Sequence, residues 1–369
     1  MNPISTHLFE KLSHCLCPPG NGVFTVNTAK ERKEQLHQRI FGTTINIDKH
    51  WLNALPLLPN ASNAVILGIA SDCGGGILRG ANWGPLFLRS FLLEQHPELN
   101  SYDLGDIRVI PHLLHDKYLN EATISNCRKA LYGSSDKLYP VSPLSITEDV
   151  LHDFYSEFPK KGVFGIGGDH SVSYPLVKAY LQGKKKQGIK AAVIHFDAHT
   201  DLLTERLGID LCFGSWCTHI LDDLPSPDCL IQIGIRSSGK PKSHWENTFG
   251  VKQHWAAEVR ALGVNPIVEN IIKQLTEQNI EELYVSFDID AIDAEFASAT
   301  GTPEPDGLYP NEALQIITAL GERFNITGAD MMEIAPFTNS TSHNENAREI
   351  TLSVATKISA LLIDFMSKG

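Results

Sequence analysis

The chain has 369 residues, 42% of them hydrophobic and 20% charged, the proportions of an ordinary soluble globular protein with material for a large core. Its formal net charge of −12 excludes a nucleic-acid partner, because phosphates require a basic surface. No uncharged apolar run approaches about 18 residues, so no membrane span is expected, and seven cysteines without a C-x-x-C pair read as reduced thiols of a cytoplasmic protein.

Residues 1–60 read as an irregular N-terminal arm or extension, packed on the main domain or on a neighbouring subunit, with one polar helix over Thr28–Gly42 closed by Gly42. Residues 61–369 read as one α/β domain. Its first strand is AVILGIA (64–70), followed by a glycine-rich loop, SDCGGGILRGANWGP, and an amphipathic helix beginning LFLRSF. Gly74–Gly76 do not form a phosphate cradle, since the G-x-G-x-x-G spacing is absent and no Lys-Ser/Thr follows. DLGDIRVI (103–110) is a short strand, and 111–150 is loop-rich. GVFGIGG (162–168) is a strand ending in GGDHS, and the helix after it ends in Lys184–Lys186, read as a solvated end near the negative pole of the helix dipole.

Strands follow at 191–196, 229–235, 282–290 and 326–334, with a helix over 265–279 and a closing helix from about Glu345. Alternating strands and helices imply right-handed crossovers and a mainly parallel sheet covered on both faces.

Three strand ends carry metal-ligand chemistry. GGDHS supplies His170; VIHFDAHTDL supplies Asp197, His199 and Asp201; SFDIDAID supplies Asp288 and Asp290. Residues two apart in an extended segment share a face, so acids and imidazoles converge where open α/β sheets place their ligands. Four carboxylates balance two divalent cations, and oxygen and nitrogen donors without thiolate suit Mn, Fe, Co, Ni or Zn. Two such ions supply hydroxide at neutral pH, so hydrolysis at an electrophilic carbon is the expected chemistry. Asp169 and Asp293 read as structural or as partners of ligands, and His195 as a satisfied core histidine.

In this order, GGDHS, DAHTD, SFDIDAID followed by ATGTPEPDGL, and MMEIAP resemble the ureohydrolases, the family of arginase and agmatinase. The resemblance runs from about Ala64 to the C-terminus and is nearest the agmatinase-like or guanidine hydrolase-like branch. It implies an arginase-like three-layer α/β/α fold, trimers or hexamers, and two divalent ions, Mn²⁺ or, in some members, Ni²⁺. A metal-bridging hydroxide would convert a small guanidino compound to urea plus ammonia or an amine. By motif, one ion would be held by His170, Asp197, Asp201 and Asp288, the other by Asp197, His199, Asp288 and Asp290. Glu333 of MMEIAP falls where the family receives the guanidinium, and Thr302 falls near its substrate-contacting turn or is a plain turn residue.

Two departures bear on substrate. Many ureohydrolases place a His-Gly pair after DAHxD, the histidine serving as proton shuttle; here Phe213 precedes Gly214. His219 is the candidate replacement, or else a helix-surface residue. The loop after IGIR lacks an acid directly after Arg236, which disfavours the α-ammonium of arginine. Phe213 and Trp216, placed near the mouth, could narrow the pocket or stack on a guanidinium, or be ordinary core aromatics. Two other readings stay open: a catalytically idle subunit or ligand sensor, and a deacetylase of the same fold, which would use a single zinc.

Overall fold

Nine strands form one sheet, and the computed structural model that shows it describes residues 3–22, 29–76, 78–338 and 346–369. The strands are β1 (Leu16–Cys17), β2 (Ala64–Gly68), β3 (Tyr102–Ile107), β4 (Gly162–Ile166), β5 (Ala191–Phe196), β6 (Leu230–Ile233), β7 (Lys252–His254), β8 (Glu282–Asp288) and β9 (Asn325–Met332). Their spatial order is β1-β3-β2-β4-β9-β8-β5-β6-β7. Every pairing is parallel except that of β1 with β3. β2, β4, β5 and β6 are buried along their whole length, the signature of a sheet covered on both faces, and the architecture is the expected α/β/α sandwich.

The chain passes from β4 to β5 across a gap later filled by β9 and β8. The four central strands β4, β9, β8 and β5 are therefore neighbours, and their C-terminal ends open on one crevice. These four ends carry the motifs.

The seven expected strands are present, trimmed by up to three residues at an end. β1 and β7 were not foreseen: two and three residues are too short to show alternation, and pairing alone defines them. The arm is mostly helical, with helices at Thr6–Cys15, Lys30–Phe41 and Ile47–Ala54. The predicted first residues Thr28 and Glu345 lie outside the described residues. Ser5 caps the first helix by accepting the Leu8 N–H, and Leu8 and Leu12 enter the main core. Lys11 reaches Asp149 and Asp153 at 2.9 and 2.5 Å.

The stretch expected to be loop contains helices Glu121–Tyr132 and Pro143–Glu157. The first buries no residue fully, so it shows no apolar stripe. Its caps, Asn120 and a left-handed Gly133, were the available signal. Lys184 is not solvated: it is 3% exposed and pairs with Glu282 at 2.6 Å, while Lys185 and Lys186 are exposed. The helix Ala347–Lys368 is long and apolar enough to cross a bilayer by composition, yet most of that stretch is buried against β9 and the helix Gly84–Gln95, as a core helix is.

Candidate metal centre

His170 stands one turn past β4, where Gly167 and Gly168 permit an approach no side chain allows. A Cβ on Gly168 would lie 1.5 Å from the Ser71 carbonyl oxygen, and one on Gly167 would lie 1.9 Å from Met332 Sδ. Asp169 accepts the N–H groups of Ser171 and Gly74 at 3.0 and 3.1 Å, tying the glycine-rich loop to this turn. Asp169 is thus structural, as expected.

The six predicted ligands come together. Nδ1 of His170 lies 3.1, 3.3 and 3.1 Å from carboxylate oxygens of Asp197, Asp201 and Asp288. Nδ1 of His199 lies 3.3 Å from Asp197 and 3.2 Å from Asp290. Asp197 thus faces both imidazoles with different oxygens. Neighbouring backbone holds the acids: Asp288 accepts the Asp290 N–H at 2.8 Å, and Asp290 accepts the Ala198 N–H at 3.1 Å. All are buried except His199, whose side chain keeps 25% of its exposure and marks the open side.

The electrostatics fit a cation site. Burial pushes the Asp201 carboxyl well above the ordinary range, with the Asp197 charge adding; burial does the same to Asp288, with Asp290 adding. Burial opposes ionisation of Asp197 too, but bonds from His170, His195 and His199 outweigh it and hold that carboxyl well below its usual value. Burial likewise disfavours charged His170 and His199, yet the surrounding acids raise both. Burial thus favours a proton on Asp201 and Asp288, which a divalent ion bound there would displace. Oxygen and nitrogen donors, buried and converging, fit two such ions.

Glu333 ends β9 beside this cluster. Its Oε1 accepts the His170 N–H at 3.0 Å, and burial, then the Asp288 and Asp169 charges, push its carboxyl well above the usual range. Glu333 and Asp201 both hold a left-handed backbone, φ 61° and 50°, which costs a non-glycine residue roughly 1–3 kcal/mol and concentrates at functional sites. Thr302 donates to Asp290 Oδ2 at 2.9 Å. Asp293 accepts the Glu295 and Gly307 N–H groups and shapes the GTPEPDG turn.

Two expectations need correction. Trp216 is not at the mouth: it is fully buried, its indole N–H donates to Asp201 Oδ2 at 2.9 Å, and its ring packs 5.1 Å from that of His170. It holds Asp201 from behind and presents no exposed face. His219 is held elsewhere: its Nε2 lies 2.9 Å from the Asp210 carbonyl oxygen and its ring 5.6 Å from Tyr174, with none of the six ligands among its partners in the described residues. Phe213 is half-buried, donates its backbone N–H to the Gly74 carbonyl, and lies beneath the Arg206 guanidinium. It forms a wall, with Gly74–Gly76 and Leu207, of a cavity of about 440 Å³ that none of the six ligands lines.

Two supports escaped the sequence. His170 Nε2 bonds Ser286 Oγ at 3.1 Å, and Ser286 donates to Asp330 at 2.8 Å, so Nδ1 is left facing the acids. Asp330 also accepts from Ser173 and Tyr284. Arg236 binds the carbonyls of Asp290, Glu304 and Pro305 at 2.7–2.8 Å and clamps the acid turn to the loop over it. Polar residues inside apolar strands were the signal of Ser286 and Asp330; Arg236, half-buried and past the end of β6, had none.

Residues 62–363 match a family model described as the arginase family. The chain is 28% identical over 293 residues to the mitochondrial guanidino acid hydrolase of Homo sapiens, covering 75% of this chain and 73% of that protein. It is 29% identical over 301 residues to the mitochondrial agmatinase of Gallus gallus, covering 76% and 77%. Among solved structures, proclavaminate amidino hydrolase from Streptomyces clavuligerus superposes with a TM-score of 0.61 at 26% identity, over 84% of this chain and 92% of that one. The family match takes in all four strand ends that hold the acids and imidazoles, and the chain belongs to the arginase family.

Proposed function

We propose that the chain is a hydrolase using two divalent metal ions to release urea from a small guanidino compound, guanidine or an agmatine-like molecule. The observation that carries this reading is the convergence of His170, Asp197, His199, Asp201, Asp288 and Asp290 on one crevice, with Glu333 held against His170. The relatives' names, guanidino acid hydrolase and agmatinase, share a guanidino carbon as the reacting centre and differ in what it carries.

In this reading His170, Asp197, Asp201 and Asp288 hold one ion, and Asp197, His199, Asp288 and Asp290 hold the other. Two such ions, Mn²⁺ or Ni²⁺, lower the pKa of water and supply hydroxide at neutral pH. Glu333 receives the guanidinium. A carboxylate buried among other acids gains most from a cationic partner, and a planar five-donor cation matches its two oxygens. Thr302 keeps Asp290 oriented while contributing to the turn above it.

The deciding experiment loads the protein separately with Mn²⁺ and Ni²⁺ and measures urea release from guanidine, agmatine, guanidinobutyrate and arginine. Turnover of guanidine or agmatine, with arginine poorest, is expected. Silence across the panel from protein that has bound metal would refute the assignment in favour of a non-catalytic family member.

A further inference from the structure

A row of hydrogen bonds leaves the back of the metal cluster and crosses the sheet to its edge. Nε2 of His195 lies 2.8 Å from Asp197 Oδ2, and Nδ1 of His195 lies 2.9 Å from the side-chain amide nitrogen of Gln232 on β6. Gln232 Oε1 accepts from Gln253 on β7 at 2.8 Å, and Gln253 Oε1 accepts the indole N–H of Trp255 at 2.9 Å. His195 is paired with Gln232, and Gln232 with Gln253, in the parallel registers, so the three side chains sit level on adjacent strands. All three are at most 1% exposed. Polar groups so buried cost free energy unless every bond is made, and this row makes them.

Chemistry fixes its direction. An indole N–H can only donate, so Gln253 accepts with Oε1 and donates with Nε2 to Gln232. Gln232 then donates with its own Nε2, to the Thr200 carbonyl at 2.6 Å and to His195. An accepting Nδ1 leaves the His195 proton on Nε2, aimed at Asp197. His195 groups closely enough with His170, Asp197 and Asp201 to be a ligand itself, but both of its nitrogens are engaged.

We propose that His195 is a positioning residue for the metal centre, its tautomer set by Trp255, Gln253 and Gln232 so that its Nε2–H holds the Asp197 carboxylate in the orientation both ions share. The proposal rests on the metal-dependent reading above. An outer donor of this kind governs metal affinity without touching metal or substrate.

The test titrates the metal-free full chain with Mn²⁺ by calorimetry and records ¹⁵N spectra of labelled histidines. His195→Gln keeps an N–H at similar reach and should bind Mn²⁺ within a few-fold of wild type. His195→Phe keeps the ring without the donor and should lose about 10- to 100-fold in affinity with an unchanged circular dichroism spectrum. Gln232→Glu, one step behind His195 in the row, should move a proton onto Nδ1 and weaken binding as well. Wild-type affinity in His195→Phe, or a wild-type spectrum with the neutral proton on Nδ1, would overturn the proposal. Absence of Mn²⁺ binding by the wild type would instead count against the metal-centre reading, and the spectrum of the metal-free protein would still decide the tautomer.

Discussion

Asp197 is where the chemistry is concentrated. Among the described residues it alone meets His170, His195 and His199, and against the burial that raises Asp201 and Asp288 around it those three bonds hold its carboxyl low. A carboxylate that holds its charge beside two others whose ionisation burial opposes suits a position shared by two cations. The leaving-group proton has no comparable provision from His219, whose nitrogen is occupied by the Asp210 carbonyl. His219→Ala should therefore leave kcat within a few-fold of wild type. A fall of about 10²-fold or more with KM unchanged would make it the shuttle after all.

At the scale of elements, the site is an outcome of strand order. His170 and Glu333 end neighbouring strands β4 and β9, and Asp288 and Asp197 end the next two. Glycine backbone makes the junction: the Ser71 carbonyl receives the Asp169 N–H at the spot a Gly168 side chain would fill. Gly168→Ala should cost about 1–3 kcal/mol or more in chemical denaturation and impair metal retention, because backbone rather than a movable side chain would have to yield. An unchanged denaturation midpoint would show that the loop after β2 can shift freely.

The same level explains what the sequence could disclose. The two-residue spacing of Asp197, His199 and Asp201, and of Asp288 and Asp290, at the ends of apolar runs is local information and foretells their convergence, whereas Glu333 was reached only through the resemblance of MMEIAP. The support of His170 by Ser286 and Asp330, and the clamp from Arg236, depend on which strands become neighbours, and no local pattern encodes that. Trp216 was misplaced for a related reason: aromatic content does not say whether a ring faces a crevice or the back of a ligand. Within residues 1–60 a periodic signal was present and went unread: Leu8, Lys11, Leu12 and Cys15, at i, i+3, i+4 and i+7, are the buried face of the first helix.

For the whole molecule, acid stability carries a separate signature. Burial, aided by Lys242, lowers His254 at the end of β7 from 6.5 to about 4. Between those values His254 binds a proton in the unfolded chain and not in the folded one, so the contribution of this group to stability rises with pH across that window. This histidine should account for at most about 2 kcal/mol of the stability lost by the metal-free protein between pH 7 and pH 5. His254→Gln should lose correspondingly less in denaturant titrations at the two pH values; equal losses would remove His254 as the cause.

The most direct measurement titrates the metal-free protein with Mn²⁺, and in parallel with Ni²⁺, while following urea release from guanidine and agmatine, beside the Asp288→Ala variant. Activity is predicted to rise to a plateau at two ions per chain, and Asp288→Ala, which removes a carboxylate assigned to both ions, should lose metal retention and urea release together. A full rate with one ion bound, or undiminished metal and activity in Asp288→Ala, would contradict the binuclear account.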